Sequence, residues 1–371
     1  MAAMNGSAVS FRGHGRLIGC CTALALMLAA FVIAPAGASA QAPATTTYLA
    51  LGDSISYGYS EERFNLHFPT ESPSYFDEGF TNGFAKDLGK GSEVGKSIRL
   101  VNDACPGETS QGLIGENTEL GGKTSTESYA EIEGPGGYQG QGDYHPCKWV
   151  FRGSDGSGPL PLHNGGYFDA GKEVSQLEEA VSSIESKTSP VKAITINIGS
   201  NDELAGITKC EDEHYTEGEG AIIACISAES KNVIVPAILK NLGDIIVQLD
   251  LKGYTGPIVL LGFYNPDTFI LPSSDELQSA TNTAVEDVLL PELKTDYGIT
   301  NVTYANPFPV FNKDSGTNAA KEKEAICKYT EMCNTNDPGG SEGKGDIHPS
   351  PAGYKELAKL VNKAYLENPA K

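Results

Sequence analysis

Thr47 to Tyr59 reads TYLALGDSISYGY, and the residue in it that could do chemistry is Ser54. Tyr48, Leu49, Ala50 and Leu51 form an apolar run that stops at Gly52, the pattern of a buried strand ending in a sharp turn. Ser54 then stands at the strand exit, where a side chain can reach a substrate. A serine hydroxyl is a useful nucleophile only if a base removes its proton and if donors meet the oxyanion that its attack creates. Such chemistry asks for an imidazole titrating near neutrality and for preorganised N–H groups. Three further polar stretches are rich in such residues: Asn102 through Thr109, Gly199-Ser200-Asn201-Asp202, and Asp346-Ile347-His348-Pro349.

The elements that must position these stretches alternate between strand and helix. Ile98–Val101 reads as a second strand, Ala193–Ile198 as a third, Ile258–Phe263 as a fourth and Asn301–Tyr304 as a weaker fifth. Between them, Phe76, Phe80, Phe84 and Leu88 recur every four residues behind a cap at Ser74 and Asp77. Val174, Leu177, Val181 and Ile184 mark another helix that ends near Pro190, Thr216–Leu249 is largely helical with an interruption before Pro236, and Ser274–Leu293 carries Leu277, Ala284, Val285, Val288 and Leu289 on its apolar side. Ser350 caps a last helix, with Pro351 in its first turn and Leu357, Leu360, Val361 and Ala364 as its stripe. Apolar strands alternating with amphipathic helices imply parallel strands, right-handed crossovers and helices on both faces. The fold class expected is therefore α/β, a three-layer α/β/α sandwich around a mostly parallel sheet of about five strands, flavodoxin-like in arrangement. The first three polar stretches each follow a strand, at the carboxyl end where ligands bind in such sheets.

Residues 1–40 read as a signal peptide. Arg12 and Arg16 precede an apolar run to Ile33, and Ala38-Ser39-Ala40 supplies small residues for cleavage, leaving a mature chain from Gln41. No second apolar span of membrane length is expected, hence no stable membrane insertion. The mature part, 41–371, reads as one domain with a long Gly-rich loop insertion at about 108–170, tied back beside the second strand. The full chain has 27 Lys+Arg and 48 Asp+Glu; removing the two leader arginines gives 25 minus 48, or −23. That field repels phosphate backbones, so nucleic acid is not an expected partner. The mature cysteines are Cys105, Cys147, Cys210, Cys225, Cys327 and Cys333, an even set in an exported chain. Pairing between sequence neighbours is expected: Cys105 with Cys147, Cys210 with Cys225, Cys327 with Cys333. A metal is not expected, because no CxxC pair occurs and His214 near Cys210 lacks further ligands at zinc spacing. The acidic loop from Asp337 to Asp346 lacks the ligand spacing of an EF-hand.

In their order along the chain, the four stretches resemble the four blocks of the GDSL, or SGNH, hydrolase family. The resemblance implies Ser54 as nucleophile and, through its backbone N–H, as an oxyanion donor. It implies Gly107 and Asn201 as the other two donors and His348 as the general base. Block I reads GDSI in place of GDSL, and block III reads GSND where a second glycine is usual. The family places its third triad member three residues before the histidine, which here is Gly345. Asp346, two before His348, is assigned the orienting role, with a main-chain carbonyl as the alternative. Asp53 and Asp202 read as local supports of their turns, and His67, His145 and His163 as loop residues.

The resemblance implies a secreted serine ester hydrolase of esterase or lipase type. It acts through an acyl-enzyme, requires no cofactor, and takes a small-molecule, lipid or carbohydrate ester; a monomer is expected. The alternative is a secreted, non-catalytic carbohydrate- or lipid-binding module on the same fold, motivated by the missing acid at position 345. A nucleotide-binding protein is disfavoured because no GxGxxG or GxxxxGK[ST] turn is present, and an α/β-hydrolase because no GxSxG stands at a strand end.

Overall fold

The computed structural model describes residues 45–67, 73–90, 97–114, 175–186, 189–266, 268, 274–334 and 345–371. Residues 1–44, which include the stretch read as a leader, and residues 115–174, with His145, Cys147, His163 and most of the expected insertion, lie outside the described residues. In chain order the described elements begin with β1 Thr45–Gly52, α1 Ser54–Tyr57, α2 Glu61–His67, α3 Phe80–Lys90, β2 Ser97–Asn102, α4 Ser110–Ile114, α5 Gln176–Ser186 and β3 Val191–Asn197. They continue with α6 Ser200–His214, α7 Glu219–Glu229, α8 Val235–Leu251, β4 Ile258–Leu261, α9 Ser274–Ala284, α10 Leu290–Asp296 and β5 Val302–Ala305. The last are α11 Phe308–Phe311, α12 Ala319–Tyr329, β6 Thr330–Glu331, β7 Asp346–Pro349 and α13 Pro351–Glu367.

Five strands form one parallel sheet in the order β2-β1-β3-β4-β5. Strand side chains alternate between its faces. Leu49, Leu51, Ile194, Ile196, Ile258 and Leu260 pack on one side against α4, α5, α8 and α10, while Tyr48, Ala50, Ala193, Val259 and Leu261 pack on the other against α3 and α13. The expected three-layer architecture is thus present. Phe76, Phe80, Phe84 and Leu88 are all buried, and Phe84 meets Tyr48 edge-on at 5.1 Å and Tyr365 at 5.4 Å. The hydroxyl of Tyr48, deep under the sheet, is satisfied by Thr195 Oγ1 at 2.7 Å.

Several boundaries differ from the sequence reading. The helix expected from Ser74 begins only at Phe80, after a 3-10 turn over Pro73–Phe76. The interruption before Pro236 is a π turn, Ser230–Ile234, which joins α7 to α8 without breaking the helix. A second π turn, Val285–Leu289, joins α9 to α10; it keeps Val285 and Leu289 inward and turns Val288 out to 51 % exposure. Ser110–Ile114 is a buried helix, not the start of an open loop, because a single turn is too short to display a period. Helix α6 was not foreseen, since its residues are mostly polar and show no apolar period. Nor was the hairpin β6–β7, which is antiparallel and holds two to four residues per strand. Contrary to the expectation of no second membrane-length apolar span, the helix Glu219–Leu251 is long and apolar enough by length and composition. Its C-terminal half lies on the sheet through Ile238, Leu242, Ile245, Ile246 and Leu249.

Cys210 pairs with Cys225, pinning α6 to α7, and Cys327 pairs with Cys333, closing the turn after α12. Cys105 is also disulfide-bonded, and its expected partner, Cys147, lies outside the described residues.

The sheet delivers its loops through glycine. Gly52 ends β1 at φ +136°, and a side chain there would collide with the backbone carbonyl of Asn197 on β3. The same carbonyl accepts the N–H of Asp53 at 3.1 Å, so the close approach of the two strand ends sets where Ser54 begins. Gly52→Ala is expected to lower folding stability by more than about 2 kcal/mol in a denaturant titration, from backbone strain and a steric clash together; a loss within about 0.5 kcal/mol, the range of a neutral surface change, would contradict this.

Candidate active site

Ser54 is the first residue of the one-turn helix α1 and is buried. Asp53 caps that turn, its Oδ1 accepting the N–H of Ile55 at 2.9 Å, as the sequence suggested for it. Gly58, at φ +90°, closes the other end, and the Ser54 carbonyl accepts the N–H groups of both Gly58 and Tyr59 at 3.0 Å. Below the turn, Asn102 Nδ2 and Thr81 Oγ1 both donate to the Ser56 carbonyl, at 3.0 and 3.1 Å. The nucleophile candidate therefore sits on a turn tied on both flanks and from beneath.

Strand β2 continues its pairing beyond Asn102. Asp103 N–H donates to the Ala50 carbonyl and Cys105 N–H to the Gly52 carbonyl, both at 2.9 Å, which draws the Pro106-Gly107 turn alongside α1. Gly107 has φ +83°, a conformation that side chains disfavour, and Glu108 N–H closes the turn on the Cys105 carbonyl at 3.2 Å. Asn201 lies in the first turn of α6, after Gly199 at φ +120°. Its Nδ2 donates to the carbonyl of Glu108 at 2.8 Å, which fixes the amide beside Gly107.

His348 lies on β7, which packs against α1. Its Nδ1 is 2.5 Å from Asp346 Oδ1, and the same oxygen accepts the His348 backbone N–H at 3.0 Å. The second carboxylate oxygen accepts Glu61 N–H at 2.8 Å. Asp346 thus reaches the ring from two residues away because the short extended strand turns both side chains to one side of a tight local loop. Gly345, the usual acid position, instead approaches the Met332 backbone so closely that a side chain would not fit. Tyr59 meets the imidazole edge-on at 4.7 Å and stacks on Phe76 at 5.8 Å, and Tyr354 Oη donates to the Tyr59 carbonyl at 2.6 Å. Burial alone would push the His348 pKa down, but the Asp346 carboxylate outweighs it and the net shift is upward. For Asp346 burial pulls upward, yet the imidazolium and the N–H donors prevail and hold its pKa below the ordinary value. The bond from Glu61 to Asp346 joins α2 to β7, and β7 packs against α1, so the three form one wall.

Beneath this wall lie carboxyl groups whose depth of burial the sequence gave no reason to expect. Burial raises the pKa of Asp53 to about 7, of Glu108 to about 8, of Asp202 to about 6 and of Glu203 to about 8. Asp202 is no local cap: its oxygens accept the backbone N–H and the hydroxyl of Ser110 at 2.8 and 2.6 Å, so it caps α4 from α6. Glu203 accepts from Thr281 at 2.8 Å and Gln278 at 3.1 Å, bracing α6 on α9. Gln176, at the start of α5, was also missed; nothing in its spacing marks it.

Of the other sequence candidates, His67 ends α2 and its side chain lies outside the described residues. His214, Glu213 and Cys225 stand close enough to suggest a metal, but the Cys225 sulfur is committed to Cys210 and offers no thiolate.

The sequence model of the family described as GDSL-like lipase/acylhydrolase matches residues 48–361. The chain belongs to that family. Its match spans all four stretches described above. Among solved structures, the chain is similar to an extracellular lipase from Streptomyces rimosus, at 17 % identity, covering 86 % of this chain and 99 % of that one with a TM-score of 0.41. It is similar as well to the lipase Lip_vut3 from a goat rumen metagenome, at 14 % identity over 86 % and 97 % of the two chains, TM-score 0.41. No curated protein matches the chain.

Asp103 generates a test. Both of its carboxyl oxygens are buried without a hydrogen-bond partner; burial, reinforced by Glu179 and partly offset by Arg99, raises its pKa to about 8. The folded state holds this proton where the unfolded chain, with a pKa near about 3.9, has released it, so stability falls as pH rises between those values. The stability gain of Asp103→Asn over the wild type is expected to grow from pH 5 to pH 8 by about 1 kcal/mol or more, read from denaturant midpoints at the two pH values. A pH-independent difference would mean that Asp103 ionises in the folded state as readily as in the unfolded chain.

Proposed function

We propose that this member of the family is a secreted serine carboxylic ester hydrolase with Ser54 as nucleophile, His348 as base and Asp346 as the group that orients it. The observation that supports it most is the Asp346–His348 contact of 2.5 Å on a strand that packs against the turn bearing Ser54. With Nδ1 engaged by the carboxylate, Nε2 is the nitrogen left to take a proton from Ser54 Oγ.

In this reading Ser54 Oγ attacks the acyl carbonyl carbon while its proton passes to His348 Nε2. The carbonyl π electrons move to oxygen, and the resulting oxyanion is met by the N–H groups of Ser54 and Gly107 and by the Asn201 amide. As the first residue of α1, Ser54 has no carbonyl four residues back within the helix to occupy its N–H. One amide hydrogen of Asn201 holds the Glu108 carbonyl, and the other serves the oxyanion. Collapse of the intermediate expels the alcohol, which takes the proton from His348. Water, deprotonated by the same imidazole, then attacks the acyl-enzyme, and the second collapse returns Ser54 with its proton and releases the carboxylic acid. The negative charge of Asp346 favours the imidazolium formed in each half-reaction. None of these steps calls for a cofactor. The acyl donor is a small, lipid or carbohydrate ester, and the chain acts as a monomer.

The binding-only alternative was motivated by the absence of an acid at position 345; the contact made by Asp346 supports the catalytic reading over it. Export is supported by the leader-like residues 1–40 and by disulfides, which persist in oxidising compartments. The mature protein recovered from culture medium is expected to begin at Gln41 by N-terminal sequencing; an uncleaved Met1 start would contradict the leader.

Ser54→Ala and His348→Ala are each expected to lower nitrophenyl ester turnover by about a thousandfold or more, with the melting curve retained. Ser54→Ala should also lose labelling by a fluorophosphonate probe; retained labelling would exclude Ser54 as nucleophile. Because the His348 pKa is raised, the active, neutral imidazole is lost on acidification at a pH above the ordinary about 6.5 of histidine. Asp346→Asn removes the cause, so the acid limb of kcat/KM should move to lower pH while kcat falls. An acid limb that stays in place would assign it to another group.

A further inference from the structure

Gln176 stands outside all four motif stretches, yet its amide is buried among them. Its Oε1 accepts the Gly52 N–H at 2.8 Å and its Nε2 donates to the Gly52 carbonyl at 2.9 Å. One side chain therefore holds both polar groups of the residue that ends β1, as a neighbouring strand would. The remaining donor of Nε2 reaches Glu108 Oε2 at 3.2 Å. Glu108, in turn, presents its carbonyl to Asn201 Nδ2 at 2.8 Å and its Oε1 to the Thr109 N–H at 3.2 Å. A chain of hydrogen bonds thus runs from the turn before Ser54, through Gln176 and Glu108, to the residue after Gly107 and to Asn201.

A buried amide is costly where its partners are missing, and here all the donor and acceptor capacity named above is used. Gly52 could have been tied down by one hydrogen bond; the third, to Glu108, has no role in closing β1. What it does is lock the block II loop to the block I turn, so that two backbone N–H groups following different strands keep a fixed separation. Oxyanion stabilisation depends on such donors being placed before the charge develops.

We propose that Gln176 is the positioning residue of the oxyanion hole: through its clamp on Gly52 and its bond to Glu108 it sets the Ser54 and Gly107 N–H groups and the Asn201 amide in mutual register. This rests on the ester-hydrolase reading above. Gln176 touches no substrate; it acts on the transition state through the three donors. Its loss should therefore appear in kcat and leave ground-state binding of the ester nearly unchanged.

The test compares wild type, Ser54→Ala, Gln176→Ala and Gln176→Met, which keeps side-chain length without amide groups, on one nitrophenyl ester. Both Gln176 variants are expected to lose about 10- to 100-fold in kcat with KM changed by less than about threefold. Combining Gln176→Ala with Asn201→Ala supplies a readout that a purely structural role would not move. The loss from Gln176→Ala should shrink in the Asn201→Ala background, because both changes disable the same oxyanion contact. Should Gln176→Ala fail to fold, Gln176→Met with and without Asn201→Ala decides the matter. A folded Gln176→Met with kcat within threefold of wild type, or full additivity with Asn201→Ala, overturns the proposal. Wild type without Ser54-dependent turnover would instead refute the hydrolase reading, a result distinguishable because it needs no Gln176 variant.

Discussion

The close approach of the strand ends at Gly52 is the constraint on which the rest of the site depends. Its carbonyl accepts from Cys105 N–H and from Gln176 Nε2, its N–H donates to Gln176 Oε1, and its missing side chain leaves room for the Asn197 carbonyl. Three separate stretches are thereby measured from one peptide unit. A parallel sheet brings its carboxyl ends to one edge in any case; what Gly52 adds is a common hydrogen-bonded anchor for the loops that leave that edge.

The same edge is finished elsewhere by side-chain amides that act as extra rungs. Asn282 exchanges two hydrogen bonds of 2.9 Å with the Phe263 peptide, and Asn312 exchanges bonds of 2.9 and 2.8 Å with that of Asn265. Tyr264, between them, donates to the Ile347 carbonyl at 2.9 Å, so the order of the loop after β4 is passed on to the strand that bears His348. Buried loops of this kind carry many backbone polar groups away from water, and amides satisfy a donor and an acceptor at once without adding charge.

Charge is handled differently beneath the site. Asp53, Glu108, Asp202 and Glu203 crowd together in a poorly solvated region, and each has its pKa raised first of all by burial. Held neutral, a carboxyl group can serve as a compact hydrogen-bonding bracket; ionised beside its neighbours, it would repel them. In the Asp346–His348 pair, by contrast, ionisation is favoured because opposite charges meet. The site thus combines a floor of carboxyl groups biased by burial toward the neutral form with a polarised wall, a low-dielectric setting in which that ion pair and the N–H donors act with little screening.

Much of this was legible in the residues. The strands, their order of appearance, the buried face of α13 with its Ser350 cap and the polar stretches at the strand ends followed from periodicity and turn chemistry, because those are local properties. The pairings Cys210–Cys225 and Cys327–Cys333 followed because short loops leave few partners in reach. Helix α6 and the hairpin β6–β7 were missed, since tertiary contacts rather than propensity hold polar or very short segments in place. The roles of Gln176, Glu108 and Asp202 were out of reach for the same reason: each acts on a residue between 68 and 124 positions away along the chain. Residue type and the order of the motif stretches by themselves nominated Ser54 and His348 for the proposed chemistry, because only certain functional groups can perform it. Tertiary structure alone decided that Asp346 grips the imidazole and that a glutamine from outside every motif binds the loops together, because hydrogen bonding is fixed by position in space and not by distance in sequence.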